Sequence, residues 1–287
     1  MLLGLSAALG AAVVFGFAAI LQARAVRRVD SVPTGSEHRS TLSFLLHLVR
    51  IPLFLFAVAL NLAGFGLHLI AIRTIPLYLA QAGISGSLAV TALLAVLLMG
   101  ESLTVGDWSA VAAISVGLAL LATSSGDIGS DDPPGGFVLW LFLAIVAVAV
   151  AGALWSRSHG RYAATALGFL AGLGFAGSGL AARILPGLTP AQLWDAPATY
   201  ALPVSGGLAF ALYSLALRRG DVTEATGPMI VMQTATPALL GLTVLGDQVR
   251  SGWAIVAGVG FVLTAVGAVA LARFEAGPGE AHPAGTG

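Results

Sequence analysis

The sequence predicts an all-α integral membrane protein of about nine spanning helices arranged as two inverted repeats. Three observations carry that expectation. Hydrophobic residues make up 57% of the chain and charged residues only 9%, where a soluble domain carries about 25% charged residues. Nine apolar segments are long enough to cross a hydrocarbon core of about 30 Å at 1.5 Å per helical residue. A pattern in the first half, Ile75–Trp108 (IPLYLAQAGISGSLAVTALLAVLLMGESLTVGDW), returns more weakly in the second, Gly227–Trp253 (GPMIVMQTATPALLGLTVLGDQVRSGW).

In both copies a proline stands five residues before a glutamine, Pro76 with Gln81 and Pro228 with Gln233. In both, a glycine–acid pair ends the run, Gly100-Glu101 and Gly246-Asp247, and a tryptophan opens the next segment, Trp108 and Trp253. The expected spans are Leu2–Leu21, Ile51–Ile72, Ile75–Met99, Trp108–Thr123, Gly136–Trp155, Tyr162–Ile184, Tyr200–Leu217, Gly227–Leu245 and Trp253–Ala272. The Trp108 segment is short and is expected to start a turn earlier. The first segment has no positive charge before it and Arg24, Arg27 and Arg28 after it, the reverse of a cleavable signal, so it reads as a retained helix. A polar linker covers 23–50, with Leu42–Val49 as a short interfacial helix, and the tail 274–287 reads as disordered.

The first four helices match the last four, with Gly136–Trp155 between them, which gives units 1–123, 124–156 and 157–273. Matching helices lie five apart, an odd number, so the two halves insert with opposite topology. The first helix of each half carries small residues at four-residue spacing, Gly4, Ala8, Ala12 and Gly16, then Gly168, Gly172 and Ala176, which lets helix backbones approach closely in lipid. All 13 basic residues are arginine. With the N-terminus outside, ten of them (24, 27, 28, 39, 50, 157, 161, 218, 219 and 273) fall inside, and only Arg73, Arg183 and Arg250 fall outside, a positive-inside bias. The expected location is therefore a bacterial cytoplasmic membrane, N-terminus outside and C-terminus cytoplasmic.

Several classes drop away. The chain has no cysteine, so disulfides, Fe–S clusters and thiolate metal sites are excluded. Zero net charge gives no case for nucleic-acid binding. No phosphate-binding loop is present, and no nucleophile or metal cluster at bilayer depth suggests an enzyme. No cofactor is expected. Of His38, His47, His68, His159 and His282 only His68 lies in a predicted helix, so no transition-metal site is expected. Glu101 and Asp247 read mainly as helix terminators facing the N-terminus of the following helix, where the dipole favours an anion.

The segments AQAG…LLMGESLTVGDW…GLALLA and MQTATPALLGLTVLGDQVRSGW resemble the repeat ends of the drug/metabolite transporter superfamily, EamA-like, over most of the chain. The long arginine-bearing linker is similar to a short actinobacterial branch related to magnesium-transporter members of that superfamily. Two departures stand out: the usual ten helices in two sets of five are not seen, and the second acid is Asp247 where the family commonly has Glu. The resemblance implies a secondary transporter of small metabolites or drug-like solutes. A divalent-cation (Mg2+) transporter and a non-transporting membrane subunit stay open as alternatives. The expected partners are a small-molecule substrate and the lipid bilayer, with a homodimer left open.

Asn61, His68, Gln81, Tyr213 and Gln233 are the candidate lining residues. Asn61 and His68 are seven residues apart, about 700° of helical turn, and so share a face within about 20°. Inversion of the halves gives an outer polar pair, His68 with Gln81, and an inner pair, Tyr213 with Gln233.

Overall fold

The computed structural model describes residues 1–30, 52–100, 102–130, 133–157, 162–187, 189–217, 219 and 222–275. Glu101, the proposed interfacial helix Leu42–Val49, the tail after 275 and every histidine except His68 lie outside the described residues. In chain order the helices are α1 (Leu2–Asp30), α2 (Pro52–Thr74), α3 (Leu77–Met99), α4 (Val105–Thr123), α5 (Phe137–Ser156), α6 (Ala163–Arg183), the short α7 (Pro190–Asp195), α8 (Pro197–Leu217), α9 (Val222–Thr243) and α10 (Ala254–Glu275). No strand occurs among the described residues; a single antiparallel bridge joins Ser125 and Val249.

The chain is an all-α membrane protein. Among the described residues, eight helices are long and apolar enough to cross a bilayer. The remaining long one, α9, has 22 residues, about 33 Å, but it is diluted by Pro228, Pro237, Gln233 and threonines. It packs against α6, α3 and α10, so protein rather than lipid receives much of its polar surface. Large side chains elsewhere point outward, with Leu139, Trp140, Val146 and Leu154 of α5 exposed along its length. Such a face is stable only in hydrocarbon.

One boundary and one element differ from the sequence reading, while the Trp108 helix starts about a turn earlier as expected. α1 continues past Leu21 to Asp30, because the arginines that end the apolar run are themselves good helix formers. Arg24 then reaches the carbonyl of Leu98 at 2.5 Å, placing a cation on the C-terminus of α3. α4 begins at Val105, three residues before Trp108, because Thr104 and Asp107 form a capping box. The Thr104 hydroxyl accepts from the Asp107 amide at 3.2 Å, and the Asp107 carboxylate accepts from the Thr104 amide at 2.9 Å. The short helix α7, opened by Pro190, had no counterpart in the sequence reading.

The two halves pack in the same pattern. α1 lies against α2 and α3, and α6 lies against α8 and α9. The small-residue ridges make the second contact of each set. A Cβ on Gly16 would meet Val90 of α3 at 2.6 Å, and one on Gly172 would meet the Met229 carbonyl of α9 at 2.5 Å. α4 pairs with α10, where Gly117 and Gly260 abut backbone to backbone. Asp247, just past α9, bonds Leu77 at the start of α3, so the equivalent helices α3 and α9 run in opposite directions.

Candidate functional site

One end of the bundle is knitted shut. The segments following α4 and α9 zip together, the Gly126 amide donating to Gln248 O, the Gln248 amide to Asp127 O and the Arg250 amide to Ser124 O. Beneath them lies a buried ion pair, Arg183 Nη2 to Asp247 Oδ1 at 3.0 Å, with side chains 1% and 0% exposed. The sequence reading put the Asp247 carboxylate against the helix that follows it. Instead Gly246, at φ 77°, turns the chain inward, and the carboxylate serves the other half of the protein. Its Oδ2 accepts from the Leu77 amide at 2.5 Å and its Oδ1 from the Gly129 amide at 2.8 Å. Pro76 stands at the N-cap of α3 and has no side-chain oxygen to offer, so the orphan amide of the first turn takes an acid from 170 residues away.

Arg183 also donates through Nη1 to the Ile72 carbonyl at 2.6 Å, while Arg73 donates to the Leu185 carbonyl at 2.6 Å. The ends of α2 and α6 are therefore capped reciprocally, each by the other's arginine, with the cation placed where the helix dipole is negative. Removing either charge would leave the other buried without this partner.

Against this closed end sits a cavity of about 460 Å³. Phe15 of α1, Phe65, His68 and Ile72 of α2, and Gln81, Ile84 and Ser87 of α3 form one wall. Phe175, Ser178, Gly179 and Ala182 of α6, Leu202, Pro203, Gly206 and Gly207 of α8, and Gln233 of α9 form the other. Three helices of the first half thus face their three counterparts in the second. The cavity runs from the middle of α9 to Ile72 and Ala182, whose neighbours carry the ion pair. Phe65, Pro203 and Gly207 are exposed, so between α2 and α8 the cavity has a side that faces the bilayer.

Three of the five candidate side chains meet here. Gln81 is 3% and His68 7% exposed, and Gln233 is half-buried. None of the three makes a hydrogen bond to the described protein. Their polar atoms are left to the cavity itself, where a visiting molecule can bond them. The Gln81 amide lies over Gly179, where a Cβ would be 2.3 Å from its Nε2 and would push the amide aside. The other two candidates do not line the cavity. Asn61 lies one turn beyond Phe65, but its amide folds back to the Ala57 carbonyl at 3.1 Å. Tyr213 bonds Thr226 at 2.7 Å and so ties α8 to α9 nearer the opposite end. The expected inner pair of Tyr213 with Gln233 is not brought together; Gln233 joins the outer pair. The sequence reading missed the three phenylalanines and Gly179. The last had a signal, a small-residue run GSGL at the depth of Gln81.

A second cavity of about 460 Å³ lies between α5, α6 and α9. It contains no residue of the first half and its walls are mostly apolar, Trp140, Leu141 and Ile145 among them; of its two hydroxyls, Ser205 donates to Gly174 O at 2.7 Å and Thr236 is buried without a partner. Fold and site together define a multi-span α-helical membrane protein with a mostly apolar cavity, carrying a few polar side chains, between two oppositely directed halves. Comparison with protein-family models, with curated proteins and with solved structures finds no match.

Proposed function

We propose that this chain is a secondary transporter that moves small metabolites or drug-like solutes across the bacterial cytoplasmic membrane by alternating access. One observation carries the reading. Buried polar side chains from both halves, His68 and Gln81 from one and Gln233 from the other, converge on a single cavity without bonding the protein. Packing glue would bond across helices, as Tyr213 and Thr226 do. Groups held unpaired at membrane depth are retained for something that visits them. The oppositely directed halves supply two similar sets of walls, which is what rocking around a shared site requires. The arginine-capped C-termini at the end opposite the ion pair, Leu98 by Arg24 and Ser156 by Arg219, support that end as the cytoplasmic one.

The resemblance to the drug/metabolite transporter superfamily points the same way. A divalent cation would need several oxygen ligands around one point, carboxylates among them. The cavity wall offers amides, hydroxyls and an imidazole. The test is uptake of a panel of radiolabelled metabolites into proteoliposomes. At least one solute should enter saturably, and the Gln81→Leu/Gln233→Leu double variant, incorporated equally, should lose that uptake. Uptake unchanged in the double variant, or no saturable uptake across the panel, would leave a scaffold as the better account.

A further inference from the structure

The cavity also bears on what kind of solute could occupy it, an inference that rests on the transport reading. We propose that it takes an uncharged, flat solute whose edge carries both a hydrogen-bond donor and an acceptor. None of its sixteen lining residues is Asp, Glu or Arg, and the chain has no lysine. A charged solute there would exchange water for a low-dielectric wall with no countercharge, a transfer that is prohibitive unless the charge is paired. The buried charges at the adjoining end, Arg183 and Asp247, are already bonded to each other and to backbone. The Ser87 and Ser178 hydroxyls on the wall already donate to the Ile84 and Leu202 carbonyls, which leaves three polar groups for a solute. The Gln81 and Gln233 amides each offer a donor and an acceptor within one planar group, and the His68 imidazole is a third planar polar group beside them. They match an edge of the same make-up, such as a carboxamide or lactam. A polyol would need many more partners than these.

Flatness follows from the apolar wall. Phe15, Phe65 and Phe175 come from three helices on both sides, and aromatic faces favour offset stacking or edge contact with another ring, about 0.5–1.5 kcal/mol each beyond burial. Gly206 and Gly207 of α8 leave backbone without side chains on the facing wall, a surface against which a ring can lie. The bilayer-facing side between α2 and α8 suits a solute without charge, which partitions into lipid at little cost.

The test uses Ser87→Cys as the sole cysteine. Ser87 lines the cavity, and its hydroxyl bonds only the Ile84 carbonyl of its own helix, so the change leaves the packing intact. The rate of modification by methyl methanethiosulfonate is measured on purified protein with indole-3-acetamide, indole-3-acetate or tryptamine, which share one ring and differ in charge. The amide should slow modification about tenfold at about ten times its Kd, and Gln81→Leu in the same background should remove that protection. The acetate and the amine should leave the rate within about twofold at equal concentration. Protection by a charged member equal to or better than the amide's overturns the uncharged class while leaving the cavity as the site. Protection by none of the three overturns the ligand class. The transport reading stands or falls separately, on proteoliposome uptake.

Discussion

Replacing Asp247 with alanine removes more than one bond. Arg183, 1% exposed, would keep its charge without the Asp247 carboxylate, and the amides of Leu77 and Gly129 would each lose their acceptor. Breaking a buried pair from one side costs about 3–5 kcal/mol, and a stranded amide about 1–3 kcal/mol. These losses fall in one network and do not add, so about 4 kcal/mol is the working figure. At about 2–4 °C per kcal/mol for a chain of this size, Tm should drop by roughly 10 °C. The assay is intrinsic tryptophan fluorescence of the detergent-purified protein at a fixed scan rate. Asp247→Asn keeps the shape and one acceptor, and should fall between wild type and alanine. The double variant Arg183→Met/Asp247→Leu removes both charges at once. It should recover about half of the loss, because apolar replacement of a buried pair is often tolerated while the Leu77 and Gly129 amides stay unpaired. A Tm for Asp247→Ala within about 2 °C of wild type, or a double variant worse than the alanine variant, would refute this account of the closed end.

Three further outcomes follow from the same geometry. Gln81→Leu removes a buried amide that bonds nothing in the protein, so Tm should hold or rise by a few degrees while uptake is lost, the trade of stability for function expected at a binding site; a fall in Tm in step with uptake would make Gln81 a packing residue. Gly179→Ala places a Cβ 2.3 Å from Gln81 Nε2 and should impair uptake severalfold while costing about 1–3 kcal/mol at most, whereas unchanged uptake would show that the position of Gln81 does not matter. For orientation, single cysteines at Ser130 and Arg157, exposed at opposite ends of the bundle, should label from outside and inside respectively in oriented vesicles; the reverse pattern would invert the assignment drawn from the arginines.

How much of this could be read from the sequence depends on the range over which each signal acts. Spanning helices show in local composition, and eight of the nine long helices among the described residues meet the apolar criterion. Even α9, the least apolar, was marked by its Pro228–Gln233 spacing. Ends were less legible where the chemistry is not apolar. The arginines after Leu21 end the lipid-facing run without ending the helix, and the Thr104–Asp107 capping box lies outside the apolar segment it starts. Helical periodicity put Asn61 and His68 on one face, but a face does not fix a rotamer, and Asn61 bonds its own helix instead. The Arg183–Asp247 pair was not legible, because its members are 64 residues apart and meet only once α6 and α9 are packed. Read as an outer arginine and a helix terminator, they form a buried ion pair instead.

The central claim is that the cavity between the halves is reached in turn from the two sides of the membrane. Gln233→Cys, at the middle of α9 and on the cavity wall, is the position to probe, since the chain supplies no other thiol. Its modification by a membrane-impermeant methanethiosulfonate is measured in right-side-out and inside-out vesicles. The account predicts labelling from both sides. Disrupting the closed end with Asp247→Ala should raise the rate from the Ser130 side and lower it from the other. Labelling from one side only, with a rate indifferent to Asp247→Ala, would contradict it.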